Sequence, residues 1–178
     1  MNRYFTIASI LSLLATGCTT APESHVERRQ LIDETTAALK QAKETDESLD
    51  KFLQDSAGYA IFPRVDKGAA IVGGSYGHGT VHNGDQLIGY ADITQATVGL
   101  QAGGEQFSEI VVFENPAELL AFEAGKLTLA ANVSAVALKT GTAESAKYTD
   151  GVAVFVRPID GLMVEAAVGG QQFAYQPK

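Results

Sequence analysis

The sequence predicts an α+β fold: N-terminal helices packed on a strongly curved, Gly-rich antiparallel β-sheet, barrel-like, with one short helix inserted. Three observations carry this. Residues 24–55 contain no glycine and repeat their apolar positions in steps of three and four, the period of an amphipathic helix. Seventeen of the 18 glycines then fall between Gly58 and Gly170, with short β-rich runs between them. Turn signals such as Asn83-Gly84-Asp85 and Asp160-Gly161 separate those runs too closely for crossover helices, which excludes a mostly parallel sheet. A length of 178 residues, 46% hydrophobic and 19% charged, fits one domain with a substantial core.

Met1-Asn2-Arg3 is a short cationic start, and Tyr4 to Leu14 is an apolar run too short to span a bilayer, followed by Ala15-Thr16-Gly17-Cys18. That order is a secretory leader. Its end resembles the bacterial lipobox, in which the leader is cut before a Cys already carrying diacylglycerol, and Cys18 is the only cysteine of the chain. One Cys also excludes an internal disulfide and any Cys-rich zinc site. Two or three acyl chains at Cys18 give stable attachment, where a single chain is marginal. Thr19, not Asp, follows the Cys, and by resemblance to Gram-negative sorting rules this implies the outer membrane, facing the periplasm or the outside. The expected organisation is therefore a leader over 1–17, a lipidated Cys18 with a polar tether over 18–24, and one domain over 25–178.

In that domain Leu31, Thr35, Ala38, Leu39 and Ala42, then Leu49, Phe52 and Leu53, mark the buried stripe, with a break expected at Thr45-Asp46. Expected strands are 59–62, 69–72, 80–82, 87–91, 96–101, 109–113, 127–138, 152–157 and 162–168. Asn115-Pro116-Ala117-Glu118 sets an N-cap Asn and a Pro at the first helical position, with Gly125 to end a helix of about nine residues. Three segments repeat the order apolar, Gly-Gly, polar, aromatic: Val72 to Tyr76, Ala102 to Phe107 and Val168 to Phe173. Paired glycines inside strands mark bulges, sharp bends or close backbone approach.

Catalytic and metal signatures fail on context. Gly73-Gly74-Ser75-Tyr76-Gly77 matches the nucleophile-elbow spacing, but Gly77-His78-Gly79-Thr80 follows where a helix is required. Ser48 to Lys51 and Lys139-Thr140-Gly141 match penicillin-binding signatures without the intervening Ser-Asp-Asn. His78 and His82 sit roughly 13 Å apart in an extended chain, and Gly125-Lys126-Leu127-Thr128 lacks the upstream glycine of a P-loop. No catalytic residue, cofactor or metal is expected. A net charge of −8 argues against nucleic acid.

The run Ala57 to Gly68, the stretch Val72 to Val81, Ile93 to Gly104, Ile110 to Phe113 ahead of the capped helix, and the closing Tyr148 to Gly170 together resemble the SYLF lipid-binding domain. The resemblance spans about residues 25–175 and implies a non-enzymatic lipid-binding domain, with phosphoinositides or other anionic phospholipids as ligand. Eukaryotic members use a basic amphipathic N-terminal segment; here residues 19–57 carry five basic and nine acidic side chains. An envelope address leaves actin outside the expected partners. The candidate headgroup contacts are Arg64 and Lys67, flanking a turn, with Ser75, Tyr76 and His78 in the glycine-rich strand, and backbone amides at Gly73-Gly74 or Gly77 to Gly79 as a candidate anion nest. The alternative is an envelope scaffold contacting protein partners; a further alternative, glycine-zipper helices in the membrane, conflicts with the β-rich residues between the glycines. Globomycin treatment of expressing cells is expected to accumulate a heavier, uncleaved precursor; a mass unchanged by the drug would contradict lipidation at Cys18.

Overall fold

A computed structural model describes Pro22 and residues 24–69, 72–129 and 135–178, apart from the side chains at 69, 98–101 and 162–169. The leader, Cys18 and most of the tether lie outside the described residues. The element order is α1 (His25–Thr45), α2 (Ser48–Gln54), β1 (Gly58–Ala69), β2 (Val72–Asn83), β3 (Gln86–Phe113), α3 (Pro116–Glu123), β4 (Thr128–Leu129), β5 (Ala135–Ala137), α4 (Thr142–Ser145) and β6 (Val152–Pro177).

The sheet is built from nested arches. β1 and β2 form a hairpin whose two outer edges are both taken by the same strand: β2 pairs with the first part of β3, from Asn83↔Gln86 to Val72↔Val98, and β1 with its last part, from Ala69↔Gly103 to Gly58↔Phe113. β3 therefore bends around the hairpin tip. β6 follows it outside as a second arch, paired from Gly89↔Pro177 to Phe113↔Val152. β4 and β5 add to the two ends of β6, the first antiparallel and the second parallel. Since β3 and β6 each contribute two stretches, the curled half-barrel shows eight strand segments in cross-section.

Both faces of this sheet are covered near the open end of the arches, which explains the continuous apolar runs at Tyr59 to Phe62, Ile110 to Phe113 and Val152 to Phe155. Inside, Phe62, Val65, Ile93, Val111 and Phe113 pack with Leu119 and Phe122 of α3; Phe122 lies 5.0 Å from Phe113 and 5.1 Å from Phe173, ring centre to ring centre. Outside, Ala38 and Ala42 of α1 and Leu49 and Leu53 of α2 cover Tyr59, Ile61, Ile110 and Phe155. The helices form where the spacing places them. Ser24 and Glu27 close a capping box on α1. Asn115 accepts from the Ala117 amide at 3.0 Å with Pro116 following, and Gly125 stands at φ +64° just past α3.

Three strand expectations are corrected. The expected strand 69–72 does not form as one: Ala69 ends β1 and Val72 opens β2, and residues 70–71 lie outside the described residues. Arg64 and Lys67 are not beside a turn but inside β1, which runs through Pro63 because a bulge takes up the proline: the register shifts between Ile61 and Arg64 on one edge and between Phe62 and Val65 on the other. The stretch 127–138 is divided into β4 and β5, separated by undescribed residues. Glycine is sterically required where β1 bulges. A Cβ at Gly79 would sit 2.4 Å from the Ile61 carbonyl oxygen, and one at Gly77 2.5 Å from that of Arg64.

The break after α1 is an anchoring point. Asp46 is 1% exposed and accepts hydrogen bonds from the Ser48 hydroxyl (2.6 Å), the Ala143 amide (2.7 Å), the Thr142 hydroxyl (3.0 Å) and the Gly141 amide (3.1 Å). Burial raises its carboxyl pKa, but these donors outweigh burial and hold it at about 2, below the usual 3.8. This stability is present above the unfolded pKa and is lost as pH falls from about 4 toward 2. Asp46→Ala is expected to cost roughly 2–3 kcal/mol in urea unfolding at pH 7, and to remove that acid-sensitive step; an unchanged midpoint would contradict the anchoring role.

Candidate functional site

β-strand alternation divides the five predicted headgroup residues between the two faces of the sheet. Arg64, Tyr76 and His78 project from the outer face, beyond the area covered by α1. Lys67 and Ser75 belong to the inner set: Ser75 is 6% exposed and donates to Gln95 Oε1 at 3.1 Å. The five therefore do not form one site.

On the outer face the register assembles two rows. Arg64 lies opposite His78, and His78 opposite Asp92. One step toward the arch tips, Gln106, Asp66, Tyr76 and Thr94 stand side by side. Directly opposed residues share a face. His78 Nδ1 lies 2.6 Å from Asp92 Oδ1, and its Nε2 lies 2.8 Å from the Tyr76 hydroxyl. A carboxylate only accepts, so Nδ1 carries a proton; in the neutral ring Nε2 then accepts from Tyr76. Both ring nitrogens are thus engaged within the cluster. Gln106 Nε2 donates to Asp66 Oδ1 at 2.7 Å. The Arg64 side chain is exposed and has no hydrogen bond or ion pair among the described residues.

His82, four residues from His78, is part of the packing: it stacks on Tyr59 at 5.0 Å with its Nε2 2.9 Å from Thr80 Oγ1. Among the described residues no group of three His, Cys, Asp or Glu side chains is placed to hold a metal ion. The elbow-like segment Gly73 to Gly77 runs within β2, with no helix following. The cations of α1 are engaged locally. Lys40 pairs with Glu44 (3.8 Å) and Lys43 with Asp50 (2.5 Å), Arg29 reaches the His25 carbonyl, and Arg28 lies over the Tyr90 ring at 5.2 Å. α1 therefore presents no free basic stripe.

The inner face holds a residue that spacing did not single out. Glu109 is 1% exposed; its Oε2 accepts from Gln171 Nε2 at 3.0 Å, and its Oε1 has no hydrogen-bond partner among the described residues. Burial pushes its carboxyl up to about 7, against the smaller opposing effects of Gln171 and the Lys67 charge. Asp66, Asp92 and Glu109 were legible only through a pairing register, which no local motif encodes.

The family model described as Ysc84, Las17-binding protein actin regulator, matches residues 94–175. No curated protein matches the chain. The matched segment includes the bend of β3, α3 and nearly all of β6.

A raised carboxyl pKa stabilises the fold fully below the unfolded value of 4.5 and is lost as pH rises through about 7. In that window Glu109 is expected to subtract on the order of 1 kcal/mol per pH unit. Chemical unfolding of Glu109→Gln at pH 5 and pH 8 should show a flatter pH dependence than the wild type; equal slopes would contradict a buried, protonated Glu109.

Proposed function

We propose that this chain, whose residues 94–175 belong to the Ysc84 (SYLF) family, is a non-enzymatic phospholipid-binding domain held on the bacterial outer membrane by acyl chains on Cys18. Family membership and the leader ending in Cys18 support the reading. The observation that carries the site is Arg64, an exposed guanidinium without a partner among the described residues, flanked by Tyr76 and His78 on a face that the helices leave uncovered. Guanidinium matches phosphate oxygens by charge and by its fork of donors, and a phosphate is common to anionic phospholipids, phosphoinositides among them, and zwitterionic ones.

The histidine cluster acts as a strut, since the hydrogen bonds to Asp92 and Tyr76 use both ring nitrogens. Lys67 faces the interior, so one cation rather than two serves the headgroup. The family is described by Las17 binding and actin regulation; an envelope address gives this chain neither partner. From Cys18 to Ser24 the tether spans at most about 20 Å, which keeps the domain against the membrane that bears its anchor.

Sedimentation of residues 19–178 with vesicles of phosphatidylethanolamine, phosphatidylglycerol, cardiolipin or phosphoinositide is expected to show binding that falls about three- to tenfold in Arg64→Gln, weakens with salt, and is unchanged in Lys67→Gln. No binding to any composition would favour the scaffold alternative and overturn the lipid reading.

A further inference from the structure

We propose that the outer face near the arch tips selects a zwitterionic phospholipid headgroup, in which a phosphate carries an ammonium group one short linker away. The proposal rests on the lipid-binding reading and assigns its headgroup class.

The charges on this face alternate. Arg64 is the cation of the first row, and Asp92 closes that row two strands away, roughly 10 Å across the sheet at the usual strand spacing. Asp66 is two residues from Arg64 on the same side of β1, roughly 7 Å along the strand. A headgroup carrying only negative charge would be attracted by Arg64 and repelled by both carboxylates. A phosphate bearing an ammonium resolves this: the phosphate takes Arg64 and the ammonium takes Asp66. Asp66 accepts from Gln106 through one oxygen, and a carboxylate has further acceptor positions for a cation. Tyr76, directly opposite Asp66 and 39% exposed, adds an aromatic ring beside the ammonium position.

The next row toward the tips supplies the second half of the fit. Ala96, Gly74, Gly68 and Gly104 lie side by side and all are exposed. Packing does not demand glycine here. Among the described residues, a Cβ at Gly68 would meet nothing within 4 Å, one at Gly74 only the Gln95 carbonyl at 3.4 Å, and one at Gly104 only the Lys67 carbonyl at 3.7 Å; none of the three has a positive φ. Glycines that the fold does not require leave a level, apolar shelf next to the charged rows. Val72, 69% exposed, stands one row farther out. A phospholipid has that order of parts: a dipolar headgroup, then a neutral glycerol ester region, then apolar chains.

The test uses the full-length protein in non-ionic detergent, titrated calorimetrically with short-chain phosphatidylethanolamine, phosphatidylcholine and phosphatidylglycerol below their micelle concentrations. Wild type is expected to bind the two zwitterionic lipids about fivefold or more tighter than phosphatidylglycerol. Asp66→Asn keeps an acceptor for Gln106 and is expected to erase the preference, while Arg64→Gln weakens all three. Gly104→Thr, which favours the strand, should keep or raise the melting temperature while weakening all three lipids. Binding that favours phosphatidylglycerol, or a preference unchanged in Asp66→Asn, overturns this proposal and leaves the lipid-binding reading standing; no binding to any lipid overturns both.

Discussion

The constraint on which the rest of this fold depends is that one continuous ladder, β3 against β6, must turn around the β1–β2 hairpin without losing its register. Twenty-five pairs run from Gly89↔Pro177 to Phe113↔Val152 with one shift, between Gln106 and Phe107. The bend brings two ends of a single strand onto opposite edges of one hairpin, so the sheet curls by connectivity as well as by strand twist. Curling creates an inside, which Phe62, Phe113 and Phe173 fill and α3 covers. It also creates an outside, of which α1 and α2 cover only the part near the open end of the arches. The uncovered part near the tips is where Arg64, the two carboxylates and the glycine shelf appear together.

Two buried carboxylates show how burial with and without donors diverges. Asp46 collects five donors from two separate parts of the chain and stays ionised down to about pH 2. Glu109 has one amide donor and an oxygen with no partner among the described residues, and burial dominates to about pH 7. The first ties the helical lead-in to the start of α4, so it contributes to stability. The second keeps a proton in the interior of the sheet, where a charge without donors would be costly.

Much of the fold was legible because local chemistry and global structure agree. The α1 stripe, the break at Thr45-Asp46 and the Asn115-Pro116 start follow from residue spacing alone, and the glycine-rich onset at Gly58 begins the sheet. The site was less legible, for two identifiable reasons. Pro63 reads as the end of a strand, so Arg64 and Lys67 looked like neighbours on one turn; the bulge carries the strand through, and alternation then sends them to opposite faces. A plain hairpin about Asn83-Gly84-Asp85-Gln86 would set His78 opposite Ala91. A one-residue shift between Val81 and His82 sets it opposite Asp92 instead, and a bulge of that kind leaves no mark in composition or periodicity. The segment 142–145 forms a short helix for a reason equally invisible locally: the amides of its N-cap Gly141 and of Ala143 donate to Asp46, nearly a hundred residues earlier in the chain.

The proposed lipid site lies on one face at one end of the domain. Paramagnetic broadening by a headgroup spin-labelled phospholipid, read on side-chain signals of the intact protein, tests it most directly. The Val72 methyls and the Tyr76 ring are predicted to broaden, while the equally accessible methyls of Val26 on α1 and Leu120 on α3 stay sharp. Broadening at Val26 or Leu120 with Val72 and Tyr76 unaffected would contradict it.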